Sequence, residues 1–324
     1  MLFYIDKYAL HICQNFERKK MNKIRTVLGD ISSDKIGMTY THEHIYSRPY
    51  TSEMDPTLAI TDIDLSIKEL INFKNAGGVT LVEGTAIDYG RNPEIMRKAS
   101  KKSGVNLIAT TGYYLHDHNP DNIKGISIAE LADVFIKDIL FGMDSSNIKA
   151  GQIKCAVSPL YIHENEEKCL KAAAYAQRKT NAPIWIHHGG IMGMEILDIL
   201  EESGADLSKV VLGHVDRNPD TFDYKQIAKR GCYMSVDNLA RLYRYPLEEN
   251  IRILKDLLDM DKLDWIFISA DFGRYTYYKA YGGGPGLEYI IKKFIPRFMK
   301  ECELSEEDIK QIFINNPKAV YGCF

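Results

Sequence analysis

Pro183-Ile184-Trp185-Ile186-His187 is an apolar run that stops on a histidine. Its length and its β-branched and aromatic content read as a buried strand. The same plan recurs along the chain. Met38-Thr39-Tyr40-Thr41-His42-Glu43-His44 closes on two histidines, and Ala150-Gly151-Gln152-Ile153-Lys154 closes on a lysine. Lys209-Val210-Val211-Leu212-Gly213 leads into His214, and Trp265-Ile266-Phe267-Ile268-Ser269-Ala270 into Asp271. Each polar residue falls at or near the C-terminal end of its run. A ring of parallel strands would gather those ends at one mouth.

Working outward, further strands are expected at 79–82, 107–110 and 232–236. Helices are expected at 93–102 with Pro93 in the first turn, and at 128–140 behind a Ser127 cap. Others follow at 164–179, 194–202, 222–229, 248–258, 287–300 and from 306. Residues 24–28 and a turn through 32–35 form a small hairpin with the first long strand. That makes eight strands, each trailed by a helix or a helix-length segment, with no linker between them. The expected fold is α/β, a (β/α)8 TIM barrel over residues 23–324 with a short N-terminal hairpin. A doubly wound open sheet is the competitor. Residues 1–22 are expected to be an extension, disordered or weakly helical, with Met21 an alternative start.

With 324 residues, 45% of them hydrophobic, the chain can bury one large core. A net charge of -3 gives no general attraction to nucleic acid or to an anionic membrane. The six cysteines show no Cys-x-x-Cys, which favours a reducing, cytoplasmic setting and argues against zinc–thiolate chemistry. No run is long enough to span a membrane, and Asp6 and Lys7 interrupt the only N-terminal stretch that could pass for a signal.

On an extended segment, His42-x-His44 puts both imidazoles on one face, where two nitrogens can reach one cation. Alone, such a pair is more often core or surface. His187 and His214 arriving from other strand ends change that balance, and Asp271 adds a hard anionic ligand or general base. Lys154 is the unusual member. Burial and nearby cations drive a lysine toward its neutral amine. A neutral amine can take up carbon dioxide as a carbamate, whose two oxygens can bridge two metals. A structural ion pair is the alternative.

Thr41-His42-Glu43-His44, Gly151-Gln152-Ile153-Lys154, Ala182-Pro183-Ile184-Trp185-Ile186-His187, Gly213-His214-Val215-Asp216 and Ser269-Ala270-Asp271 resemble the phosphotriesterase family of the amidohydrolase superfamily. The resemblance runs from about Arg25 to the end. It implies that His42, His44 and Asp271 bind the more buried metal and that His187 and His214 bind the more exposed one, with carboxylated Lys154 bridging. Val82-Glu83-Gly84-Thr85, Asp88-Tyr89-Gly90-Arg91-Asn92 and Tyr281-Gly282-Gly283-Gly284-Pro285-Gly286 look most like the branch that hydrolyses phosphorylated sugar lactones. Two segments depart from the pattern. His188-Gly189-Gly190 replaces a Thr-Glu-Ala-like run, and Cys155-Ala156-Val157-Ser158-Pro159 replaces a Gly-Thr-Gly-like loop. Both are expected to line the substrate pocket.

Other polar residues carry weaker signals. His116-x-His118 falls in a loop, where solvated histidines are the plainer expectation and a pocket-rim role the next. His163 belongs to a helix start, and His11 has no assigned role. Glu83 is either a structural hydrogen-bonding group or an alternative bridge. Asp216 could orient an imidazole or a substrate hydroxyl. Gly282-Gly283-Gly284 lacks the lysine and serine or threonine of a phosphate loop and instead lets the backbone bend. The loops after strands seven and eight occupy the corner where barrels cradle phosphate. Arg244, Arg274 and Tyr277 are the candidates there, with Arg241 in place of Arg244 under a one-residue shift. A solvated charged face is the alternative.

The resemblance therefore implies a binuclear hydrolase that opens a phosphorylated sugar lactone. Two divalent ions, zinc or manganese, would share a hydroxide that attacks the carbonyl, and Asp271 would carry the proton to the leaving oxygen. A general lactonase or organophosphate esterase with an apolar pocket is the alternative; a non-catalytic metal-binding barrel is the third reading. The expected partner is the small-molecule lactone, with neither nucleic acid nor membrane; a homodimer is left open.

Overall fold

The computed structural model describes residues 22–324 apart from 242, 245, 261 and 262. The expectations for the extension, Met21, His11 and Cys13 lie outside the described residues. Strands β1 (Lys23–Thr26) and β2 (Gly29–Ser32) pair antiparallel. This hairpin turns at Val27-Leu28 rather than at 32–35, and the first barrel strand is not part of it. Thr26 explains the tight turn: its hydroxyl donates to Gly29 O at 2.6 Å and accepts from Leu28 N at 3.2 Å. Gly29 adopts φ 114°, a region that glycine enters without steric cost.

The barrel strands are β3 (Thr39–Glu43), β4 (Thr80–Glu83), β5 (Asn106–Ile108) with β6 (Thr110–Gly112), β7 (Gln152–Ala156), β8 (Ile184–His187), β9 (Val210–Gly213), β10 (Tyr233–Val236) and β11 (Ile266–Ile268). Sequential neighbours pair in parallel, and β5 and β6 are one barrel strand interrupted at Ala109. Helices Ile63–Asn75, Pro93–Ser103, Ile128–Leu140, Glu164–Thr180, Gly193–Glu202, Thr221–Lys229, Leu247–Leu258 and Ile295–Glu301 follow in turn, completing the (β/α)8 order. Ser127 and His163 each cap a helix through a reciprocal box.

Closure between β3 and β11 uses side chains. Ser269 Oγ accepts from Thr41 N at 2.8 Å and His42 N at 3.0 Å. The buried Glu43 carboxylate accepts from Ala270 N at 2.9 Å and Phe272 N at 2.8 Å, gripping the backbone on both sides of Asp271. The β3–β4 register shifts between Tyr40 and Glu43. This bulge changes the alternation: Tyr40 packs outward on Phe73 of the first helix, whereas His42 turns inward onto Trp185. Val82, Ile108, Trp185, Val211, Tyr233 and Phe267 form an inner core, which Ile24 of the hairpin and Tyr321 near the C-terminus plug from below. The larger apolar layer lies between strands and helices. Among the described residues, no helix is long and apolar enough to cross a membrane.

Candidate metal centre

The strand ends converge as the ring requires. Nε2 of His42 and Nε2 of His44 lie 3.7 and 3.5 Å from Asp271 Oδ1. Two ligands each about 2.05 Å from a tetrahedral cation are separated by roughly 3.4 Å, so this spacing fits one shared ion. Among the described residues, these three side chains form a group whose ligand atoms all lie within 4.8 Å of one another. Lys154 Nζ reaches the same point, 3.4 Å from His42 Nε2 and 4.9 Å above the Trp185 ring. Trp185 also stacks on His42 at 3.7 Å, forming the floor of the site. Trp185 sits two residues before His187, so strand periodicity places it one layer below.

His187 and His214 form a second pair, with His187 Nδ1 2.8 Å from His214 Nε2. Their remaining nitrogens set the tautomers. His214 Nδ1 meets Asp237 Oδ1 at 2.5 Å, so the proton sits there and Nε2 keeps its lone pair. His187 Nε2 faces the Tyr114 hydroxyl at 3.2 Å and Arg217 Nη1 at 3.3 Å. Arg217 can only donate and His214 Nε2 can only accept, so these contacts place the His187 proton on Nδ1; a cation held by Nδ1 would shift it to Nε2, where the Tyr114 oxygen can accept it. His214 adopts φ 59° and Asp271 φ 49°, left-handed conformations that turn both side chains off their strands into the mouth.

Electrostatics favour neutral donors. Burial, reinforced by Lys154, holds the His42 imidazole well below its ordinary range. Burial and the neighbouring His214 do the same for His187, and burial with Arg217 does so for His214. Burial lowers Lys154 to about 8, against the opposing pull of Asp271 and Glu83. Burial alone would raise the Asp271 carboxyl, but Arg241, with the histidines, overcomes it and holds the group well below the carboxylate range. Uncharged imidazoles and an ionised carboxylate are the forms that coordinate divalent ions.

Several readings change. Glu83 is not within the ligand group: its carboxylate accepts from Ile45 N at 3.2 Å, Thr85 N at 3.0 Å and Thr85 Oγ1 at 2.6 Å. Thr85 Oγ1 in turn meets His44 Nδ1 at 2.8 Å, so Glu83 orients a histidine through Thr85. Asp216 does not orient an imidazole; it accepts from Asn238 N at 2.8 Å and Nδ2 at 2.6 Å. Asp237 takes that role. Its position just past a strand end was a signal comparable to that of Asp271. His116 and His118 are not simply solvated. His116 pairs with Glu166 at 3.0 Å, and His118 lines the cavity between the rings of Tyr50, Tyr89 and Tyr114. His188 is buried, with Nδ1 2.6 Å from Gly213 O, and lies behind the site rather than in its wall. From the other departing segment, Pro159 does reach the wall.

Above the cluster is a cavity of about 440 Å³, lined by His42, His44, Lys154, His187 and Asp271. Arg217, Arg241, Arg244, Arg274 and Tyr277 line it as well. Arg241 donates to Asp271 Oδ2, and Arg274 donates to Asp55 and Thr57. Arg244 is an exposed residue 5.6 Å from the Tyr243 ring, so Arg241, not Arg244, lies against the cluster. Arg217 went unnoticed in the sequence because a charge three residues past a candidate ligand looks like surface.

Asp237→Asn should weaken the second cation site by about 10- to 100-fold, because the His214 tautomer loses its anionic partner. Metal titration should show this with the His42/His44/Asp271 affinity unchanged; equal loss at both would refute the separation.

The geometry agrees with the comparisons. The phosphotriesterase family profile matches residues 22–321. A lactonase from Listeria monocytogenes superposes with a TM-score of 0.90 at 33% identity, covering 93% of this chain and 99% of that one. The phosphotriesterase homology protein of Escherichia coli, solved with phosphate in its active site, gives a TM-score of 0.85 at 30% identity over 89% and 99%. An N-acetyltaurine hydrolase from Dictyostelium discoideum is 29% identical, over 93% of this chain and 98% of its own. With histidines, lysine and aspartate meeting at the barrel mouth in the family's order, this chain belongs to the phosphotriesterase family and is a metal-dependent hydrolase.

Proposed function

We propose that this protein opens lactones bearing a phosphate tail. The observation that carries the reading is a single cavity holding both the His–Asp–Lys cluster and four arginines. Bound divalent cations, with zinc proposed first and manganese second for this imidazole–carboxylate set, would polarise the carbonyl and bring the proton affinity of water near neutrality. His42, His44 and Asp271 would hold one ion and His187 and His214 the other, with carboxylated Lys154 between them.

The chain's own residues do the rest. Water attacks the carbonyl carbon, and its proton passes to Asp271, which Arg241 keeps ionised. The ring C–O bond then breaks, and Asp271 returns the proton to the ring oxygen, giving the hydroxy acid. Arg274 and Tyr277 hold the phosphate away from the reacting centre, with Arg244 at the rim. The arginines disfavour a general lactonase or esterase with an apolar pocket. Unbridged Cys155 and Cys169, both buried, fit a cytoplasmic setting.

The N-acetyltaurine hydrolases supply the competing substrate, an amide whose anionic tail is a sulfonate. The test is kcat/KM of metal-loaded protein on phosphorylated lactones, their unphosphorylated analogues and N-acyl taurines. The proposal requires the phosphorylated lactones to lead by about 10²-fold or more. Preference for the acyl taurine would replace the substrate while leaving the metal centre intact.

A further inference from the structure

Between β3 and the first barrel helix, residues 47–60 form a closed loop. Ser47 N donates to Ile60 O at 3.1 Å, and Ile60 N donates to Ser47 O at 3.0 Å. Compact loops with joined ends are frequently functional. Here Thr51 and Leu58 contribute to the cavity wall. One side of the loop is held where the Tyr50 hydroxyl donates to Asp117 O at 3.0 Å. The other side is held by Arg274, whose Nη1 donates to Asp55 Oδ2 and Thr57 Oγ1.

Asp55 is itself preset for this contact. Its Oδ1 accepts from Thr57 N at 3.2 Å and from Thr57 Oγ1 at 2.5 Å, leaving Oδ2 for the arginine. Both protons of Arg274 Nη1 are thereby used. Among the described residues, Nε and Nη2 of Arg274 take no hydrogen-bond partner, and Arg274 lines the cavity. Nε and Nη2 form the edge that receives two oxygens of a phosphate side by side.

We infer that Asp55 is a positioning residue for substrate selection: with Thr57 it clamps one end of Arg274 and leaves the Nε–Nη2 edge as a bidentate seat for a substrate's phosphate. This rests on the phosphate-tail reading of function above. An unclamped arginine side chain would have to be ordered at binding, a loss that the clamp removes beforehand. The same carboxylate also repels a phosphate nearby, so charge and orientation act in opposite directions. Two variants separate them. Asp55→Asn keeps an oxygen that can accept from Nη1 and loses the charge; Asp55→Ala loses both.

The experiment measures inorganic phosphate as a competitive inhibitor of metal-loaded enzyme turning over an unphosphorylated lactone, with calorimetry as an independent binding readout. Asp55→Ala should raise the phosphate Ki roughly three- to tenfold. Asp55→Asn should stay within about twofold of wild type or fall below it. In an Arg274→Ala background, Asp55→Ala should change nothing further, because the coupled partner is gone. On the phosphorylated lactone, Asp55→Ala should raise KM far more than it lowers kcat. Tighter phosphate binding in both Asp55 variants would make Asp55 a repelling charge and overturn its positioning role, as would an unaltered effect in the Arg274→Ala background. If Arg274→Ala alone leaves phosphate inhibition unchanged, the phosphate seat on Arg274 falls, whereas the substrate reading is decided separately, by kcat/KM on phosphorylated against unphosphorylated lactones in the wild type.

Discussion

Lys154→Ala should lower kcat/KM by at least about 10³, equivalent to roughly 4 kcal/mol of transition-state stabilisation. Bound metal should drop from about two equivalents toward one, since the remaining donors split into two groups with nothing between them. The reason lies in the position of Lys154, fully buried with Nζ 3.4 Å from His42 Nε2. With its ammonium lowered to about 8, roughly a tenth of the side chain is neutral at pH 7, compared with under about 0.1% for an ordinary lysine. Only the neutral amine reacts with carbon dioxide. At a fixed concentration of dissolved carbon dioxide, activation of metal-free protein by zinc should therefore quicken about tenfold per unit as pH rises toward 8, then level off. A short carboxylic acid in the medium should partly restore both metal and turnover in Lys154→Ala, by supplying bridging oxygens. Tm measured alongside separates this from unfolding. A variant that keeps two metals and full turnover would remove the bridge from the mechanism.

The barrel and the convergence of His42, His44, Lys154, His187, His214 and Asp271 at its mouth were legible because both are encoded locally. Short apolar runs such as Ile184-Trp185-Ile186 announce strands buried on both faces, and the polar residue closing each run announces which end is functional. What escaped notice depends on contacts between residues far apart in sequence. No local pattern marks the bulge that sends Tyr40 out and His42 in, because it arises from pairing with β4. Glu43 stood between two obvious histidines, yet its work is to hold Ala270 and Phe272, 227 and 229 residues away. Asp216 and Asp237 were equally acidic strand-end neighbours. Only the left-handed turn at His214 decides which carboxylate meets the imidazole. Nothing local singles out Asp55 either, because its partner Arg274 lies 219 positions on.

Arg274→Ala should cost the phosphorylated lactone about 10- to 150-fold in kcat/KM, from charge-assisted hydrogen bonds worth roughly 1.5–3 kcal/mol. It should cost the unphosphorylated analogue much less. Removing the phosphate from the substrate in wild type should cost at least as much as Arg274→Ala does, with Arg244 adding no more than about fivefold. The structure separates the three nearby arginines by what each touches. Arg241 donates to Asp271, so Arg241→Ala should depress both substrates together by releasing the carboxylate that moves the proton. Arg244 is exposed beside Tyr243, and its charge is screened by water, so its loss should be selective but small, within about fivefold. Arg274 stands apart from the cation ligands, anchored on Asp55 and Thr57, and its effect should be both large and selective. The decisive quantity is the ratio of kcat/KM on the two substrates in each variant. A ratio unchanged in Arg274→Ala would assign this arginine to holding the 47–60 loop, and the preference for a phosphate tail would then need another source.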